Sequence, residues 1–142
     1  MPIGQFVRRA LDVPFVPRGR SWQGWDCWGL VLIAHREVLG IDLPSYEELY
    51  EEKDVEATQE LGDLVQSQLH LWTRVAIPRM GDVALLRVNG LPTHVGFMLD
   101  RKRMIHALAA SKGSGAEGLT VVQRIDREPW VRKLLGVWRR GR

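Results

Sequence analysis

A single cysteine, Cys27, is all the thiol the chain holds, so no internal disulfide can form and no oxidising compartment is implied. No apolar run approaches the roughly 18 residues that mark a membrane-spanning helix. The opening "MPIGQFVRRALDVPF" lacks an apolar core of signal-peptide length, and arginines interrupt what there is. Synthesis in the cytoplasm without a signal peptide is therefore expected, and no membrane span. The close-paired ligands of structural zinc sites are missing, and so are the regularly spaced aromatics of a nucleic-acid motif. Neither an internal repeat nor a compositional break divides the sequence, so one domain over residues 1–142 is expected.

What is present is ordinary for a folded domain. Hydrophobic residues make up 45% and charged residues 26% of the 142, which excludes a disordered chain. The formal net charge is +3, and much of the excess lies near the ends, at Arg8–Arg9 and in "RKLLGVWRRGR". Such ends suit a solvated surface that aids solubility, ahead of an anionic partner.

The pattern of apolar residues changes along the chain. A short helix at about 3–10 leads into the irregular, proline- and glycine-rich "DVPFVPRGRSWQGW". Asp26 is a helix N-cap residue, and Cys27, Leu30, Val31, Ala34 and Val38 follow at helical spacing before Gly40 closes the helix. Ser45 and Glu48 form a capping-box pattern that predicts a second helix. A third is expected over about 56–71, with Leu61, Leu64, Val65, Leu69 and Trp72 apolar. After Pro78 the runs are short and β-prone: "GDVALLRV", "THVGFMLD", "RMIHAL", "LTVVQRI" and "LLGVWRR". Asn89-Gly90 between two of them predicts a hairpin turn. Helices first and antiparallel strands second make an α+β domain, with the Cys27 helix packed on the sheet.

Cys27 begins its helix, where the helix dipole and free amides favour a thiolate. The same amides can hold an oxyanion. Four histidines are candidates for a base. His35 lies more than two turns along the same helix, and His70 falls in a polar stretch. His94 and His106 lie in neighbouring β-prone runs, and a hairpin around "DRKR" would bring them side by side on one face. Residue types alone leave two readings open: a Cys–His–His thiol site, or an inert packed cysteine with two structural histidines.

The motifs themselves resemble a known family. "DCWGLV" resembles the "DCSGLV" signature of the NlpC/P60 cysteine peptidases. "GDVALLRVNGLPTHVGFML" resembles that family's Gly-Asp strand followed by its His-Val-Gly strand, and "RMIHA" resembles the strand bearing the third residue. The order is the same, and the matches span about 26–107. With "DCWGLV" followed by "REVLGIDLP", the likeness is nearest to small phage-tail and gene-transfer-particle members.

That resemblance implies a papain-like NlpC/P60 fold and a peptidase cutting a stem-peptide bond of peptidoglycan, without a cofactor or metal. It implies Cys27 as nucleophile, His94 as general base and His106 as the residue orienting it. It places Asp26, Trp28 and Phe15 where substrate is contacted, with Trp28 replacing the signature serine and Phe15 replacing a tyrosine. Partners implied are peptidoglycan peptides and phage tail-tip proteins, and the location a virion tail. The main alternative is a tail-tip structural or assembly protein whose peptidase site is weak or inactive. A Cys–His–His metal site and a basic nucleic-acid binder are two further alternatives.

Overall fold

The computed structural model describes residues 1–51, 58–110 and 118–141. Helix α1 (Ile3–Ala10) turns Phe6 and Ala10 inward and leaves Arg8 and Arg9 outside. A two-stranded ribbon, β1 (Arg20–Ser21) with β2 (Gly24–Trp25), then delivers the chain to α2 (Cys27–Ala34). Helix α2 reads "CWGLVLIA" and buries Leu30, Val31, Ile33 and Ala34. A helix apolar on nearly every side belongs in a core. A wider turn over His35–Leu39 extends it, and Gly40 at φ 67° ends it in the left-handed region that suits glycine.

Six antiparallel strands follow: β3 (Trp72–Val75), β4 (Val83–Val88), β5 (Leu91–Met98), β6 (Arg103–Leu108), β7 (Leu119–Arg124) and β8 (Leu134–Arg140), in the spatial order β3-β8-β4-β5-β6-β7. The expected α+β architecture is found. Asn89 at φ 51° and Gly90 at φ 76° form the turn between β4 and β5, as a two-residue hairpin requires. One sheet face meets the helices through Val83, Leu85, Val95, Phe97, Ile105 and Ala107. The other face carries Ala84, Leu86, Met98, Met104, Trp130 and Val137. Asp82, buried at the start of β4, accepts both guanidinium bonds of Arg139 at 2.7 and 2.8 Å and so ties β4 to β8.

Two expectations are corrected. Ser45 and Glu48 do not open a helix: only a single 3-10 turn, Glu47–Leu49, forms there. Tyr46 takes the left-handed conformation (φ 58°), and the Ser45 hydroxyl accepts from the Arg20 guanidinium at 3.1 Å instead of capping. The third helix, α3, is shorter than expected. It runs Gln59–Gln68 with Thr58 as N-cap, and Trp72 starts strand β3 on the edge of the sheet. Residues 56 and 57 of that expectation lie outside the described residues.

Gly29 shows how tightly α2 sits on the ribbon. A Cβ there would lie 2.1 Å from the Gly19 carbonyl oxygen and 3.0 Å from the Trp25 Cβ. Because the first obstacle is backbone, Gly29→Ala is expected to lower stability by about 1–3 kcal/mol. A urea titration followed by tryptophan fluorescence measures it.

Candidate active site

The N-terminus of α2 faces strand β5. Asp26 caps the helix by accepting from the Gly29 amide at 2.8 Å. It accepts as well from the Arg20 guanidinium at 2.8 Å, from the Arg18 amide at 3.2 Å and from the Tyr50 hydroxyl. The carboxylate is 2% exposed, so its lone pairs are spent on the protein itself. Arg20 goes on to the Ser45 carbonyl at 2.8 Å and the Tyr50 oxygen at 2.5 Å. Asp26 therefore pins the turn that carries Cys27 to the 45–50 segment.

Cys27 follows the cap. Its Sγ lies 3.9 Å from the Thr93 carbonyl, to which the thiol donates. The sequence-based expectation of a ready thiolate is not met. Burial first, and the Asp26 carboxylate second, push the thiol up to about 12, against the Val95 and Trp28 backbone amides and Arg20, which pull the other way. Desolvation outweighs the helix end. The resting group is a neutral thiol.

His94 and His106 do meet. Their strands pair directly only at Phe97–Ile105 and Met98–Met104, and beyond that ladder the two rings bond to each other, Nε2 of His94 to Nδ1 of His106 at 2.7 Å. Trp130, from the turn before β8, stacks on His94 at 5.4 Å and meets His106 edge-on at 5.0 Å. On the far side, His106 Nε2 lies 2.8 Å from the Gln123 side-chain oxygen, which also accepts from the Trp130 indole at 2.8 Å. Burial pulls His94 down to about 3, with His106 and Lys133 adding to it, and burial pulls His106 down to about 4. Both rings are neutral near pH 7.

Cys27 and His94 share the lining of one cleft of about 300 Å³. No Cys27–His94 hydrogen bond is formed among the described residues; the thiol is turned to Thr93 instead. Catalytic hydrogen bonds are commonly loose before substrate binds. The cleft wall is largely apolar: Leu61, Leu64 and Val65 of α3, Val83 and Leu85 of the sheet, Trp72 and Trp138. Among the described residues, Lys133 is the one cation lining it.

The other anticipated contact residues also reach this cleft. Trp28 presents its ring to the cleft beside Tyr46 (5.4 Å) and Trp72 (6.2 Å), while its indole N–H donates to the Pro44 carbonyl at 2.9 Å. Phe15 lines the cleft too, and its backbone amide donates to the Gly118 carbonyl at 3.3 Å. Phe15 has no hydroxyl, but Tyr46 and Tyr50 put two phenols on the same cleft. His35 is elsewhere, buried between Trp72 and Phe97, and donates from Nδ1 to the Val31 carbonyl at 2.8 Å. His70 is exposed. As to metal, the facing nitrogens of His94 and His106 are used on each other. Among the described residues no three His, Cys, Asp or Glu side chains converge on a point.

Gln123 and Trp130 escaped the sequence reading. One signal was there: in "LTVVQRI" the alternation puts Gln123 between Val121 and Ile125, a polar side chain on an apolar face. Nothing local marks Trp130.

The neutral, buried histidines make stability depend on pH. His35, His94 and His106 all hold protons less well than the ordinary 6.5, so the unfolded chain binds more protons than the folded one below that value. Stability is expected to be full above pH 6.5 and to fall as the pH drops from there toward about 4, by about 1.4 kcal/mol per pH unit for each histidine in play. Urea midpoints at pH 7 and pH 5 test it; an unchanged midpoint would contradict the burial.

The model of the NlpC/P60 family matches residues 12–139 of the chain. Solved structures give the same fold. The NlpC/p60 domain of the peptidoglycan hydrolase SagA superposes with a TM-score of 0.58 at 19% identity, covering 98% of this chain and 96% of that one. An NLP/P60-family protein similar to a lipoprotein, from Staphylococcus aureus, gives 0.61 at 19% identity, covering 96% of this chain. An NlpC/P60-family protein from Bacillus cereus gives 0.62 at 17% identity, covering 97%. The chain spans only 39% and 38% of those two proteins. No curated protein matches the chain.

Proposed function

Since the chain belongs to the NlpC/P60 family, we propose that it is a cysteine peptidase that hydrolyses a stem-peptide bond of peptidoglycan. The observation that carries this reading is His94, bonded to the buried His106, in the same cleft as Cys27 at the start of a buried helix. Residues 1–142 are read as one such domain.

The neutral ground state sets the mechanism. With the thiol held up and the imidazole held down, no ion pair waits in the resting site, so proton transfer accompanies attack. Cys27 turns from Thr93 to His94, whose ring takes the proton as Sγ adds to the scissile carbonyl. The Cys27 backbone amide receives the developing oxyanion. The C–N bond then breaks, and the amine leaves with the proton from His94. Water, deprotonated by the same ring, hydrolyses the thioester and restores the thiol. His106 accepts a hydrogen bond from His94 throughout. Trp28, Phe15 and the α3 side chains form the cleft that holds the substrate, and Asp26 acts on it indirectly through the nucleophile turn.

The finer setting is a phage-like tail carrying the enzyme to the wall, a reading supported by the "DCWGLV" and "REVLGIDLP" stretches. A tail-assembly role is the second reading, favoured by the thiol's rest position on Thr93. Rapid acid quench during turnover of a stem peptide separates the two. Intact mass should show an acyl adduct on the wild type and none on Cys27→Ala; no adduct under any condition favours assembly.

A further inference from the structure

We infer that Gln123, held in one orientation by the Trp130 indole, is a positioning residue that sets the tautomers of both site histidines. Four side chains, Trp130, Gln123, His106 and His94, form one chain of donors and acceptors. An indole N–H can only donate, so the Gln123 atom facing Trp130 at 2.8 Å is its carbonyl oxygen. The same oxygen faces His106 Nε2 at 2.8 Å, so that nitrogen carries a hydrogen and donates. Neutral His106 then has a bare Nδ1, which accepts across 2.7 Å from His94 Nε2–H. Neutral His94 is left with its lone pair on Nδ1, the one ring nitrogen free to take a thiol proton.

The reverse arrangement shows what the indole does. A flipped Gln123 amide would donate to His106, His106 would donate to His94, and His94 would carry its hydrogen on Nδ1. That ring cannot accept from Cys27. The flip would set the amide NH2 against the indole N–H, two donors face to face at a largely buried site. Trp130 thus selects the direction of the chain as well as stacking on His94. The catalytic consequence rests on the reading of His94 as base; the tautomers do not.

The histidine pair faces few other titrating or charged groups. Cys27 approaches from α2, Lys133 lies beside Trp130 with its ammonium 5.4 Å from the ring, and β7 supplies only the neutral amide of Gln123. Replacing Gln123 by glutamate keeps an acceptor in place but adds a charge, which favours protonated rings.

Long-range proton–nitrogen NMR of histidine-labelled protein at pH 7 reads the tautomers directly and needs no substrate. Wild type is expected to show the Nε2–H form for His94 and His106, with His35 as internal reference in the Nδ1–H form fixed by Val31. Trp130→Phe, which keeps a ring against His94 and removes the N–H, is expected to give mixed tautomers at both. Gln123→Glu is expected to keep the wild-type tautomers and to move the acid limb of the kcat/KM profile up by about one pH unit. An Nδ1–H form at His94 or His106 in wild type would overturn the inference, as would a Trp130→Phe spectrum unchanged at both rings. If no wall substrate is cleaved, the proposed function fails, and the spectra still decide this point.

Discussion

His94→Ala is expected to lower kcat by roughly 10²–10⁴-fold with little change in KM. The reason is the resting state of the site. A thiol pushed up to about 12 is almost wholly protonated at neutral pH, so attack depends on a base that takes the proton as the sulfur adds. In a site that stored a thiolate, removing the imidazole would still leave a nucleophile. Here it leaves a half-buried, neutral thiol bonded to the Thr93 carbonyl. The loss should be partly recovered as the pH is raised, because hydroxide then generates the thiolate that His94 no longer helps to form. Initial rates on a soluble stem peptide across pH 6 to 10 measure both effects. A variant with the wild-type rate at neutral pH would remove His94 from the mechanism.

Asp26→Ala is expected to destabilise the protein by about 3–5 kcal/mol, the cost of leaving a buried ionic partner alone. Arg20 is only 12% exposed at its side chain and would lose its carboxylate. The α2 cap would go too, at about 1 kcal/mol taken by itself. Asp26→Asn retains an oxygen for the Gly29 amide but no charge, so it should fall between wild type and alanine. The ordering wild type, asparagine, alanine in urea midpoints distinguishes the ion pair from the cap. Equal midpoints for the three proteins would mean the cluster of Asp26, Arg20 and Tyr50 carries no stability.

Much of this architecture can be read from local pattern, and the exceptions have physical causes. Asp26, the apolar run behind it and Gly40 mark α2 at both ends, and Asn89-Gly90 marks the β4–β5 turn, because caps and tight turns are decided by a few neighbouring residues. Strand β3 was hidden since its pairing partner, β8, lies far along the chain and Trp72 also fits the helical spacing before it. The Ser45–Glu48 pattern failed because a distant side chain, Arg20, took the hydroxyl that would have capped a helix. The meeting of His94 and His106 was legible as a possibility of two adjacent strands. The thiol's charge state was not: the helix end visible in the sequence argued for a thiolate, and burial, which the sequence does not display, outweighed it. Gln123 and Trp130 became visible only when β7 and the turn before β8 were placed against His106.

The most direct test of Cys27 as the nucleophile of a wall peptidase is digestion of purified peptidoglycan by wild type and Cys27→Ala in parallel, with the released fragments read by mass spectrometry. Wild type should release new fragments whose masses name the broken bond, and Cys27→Ala should release none. Equal fragments from both proteins, or none from wild type on walls of differing cross-bridge chemistry, would contradict it.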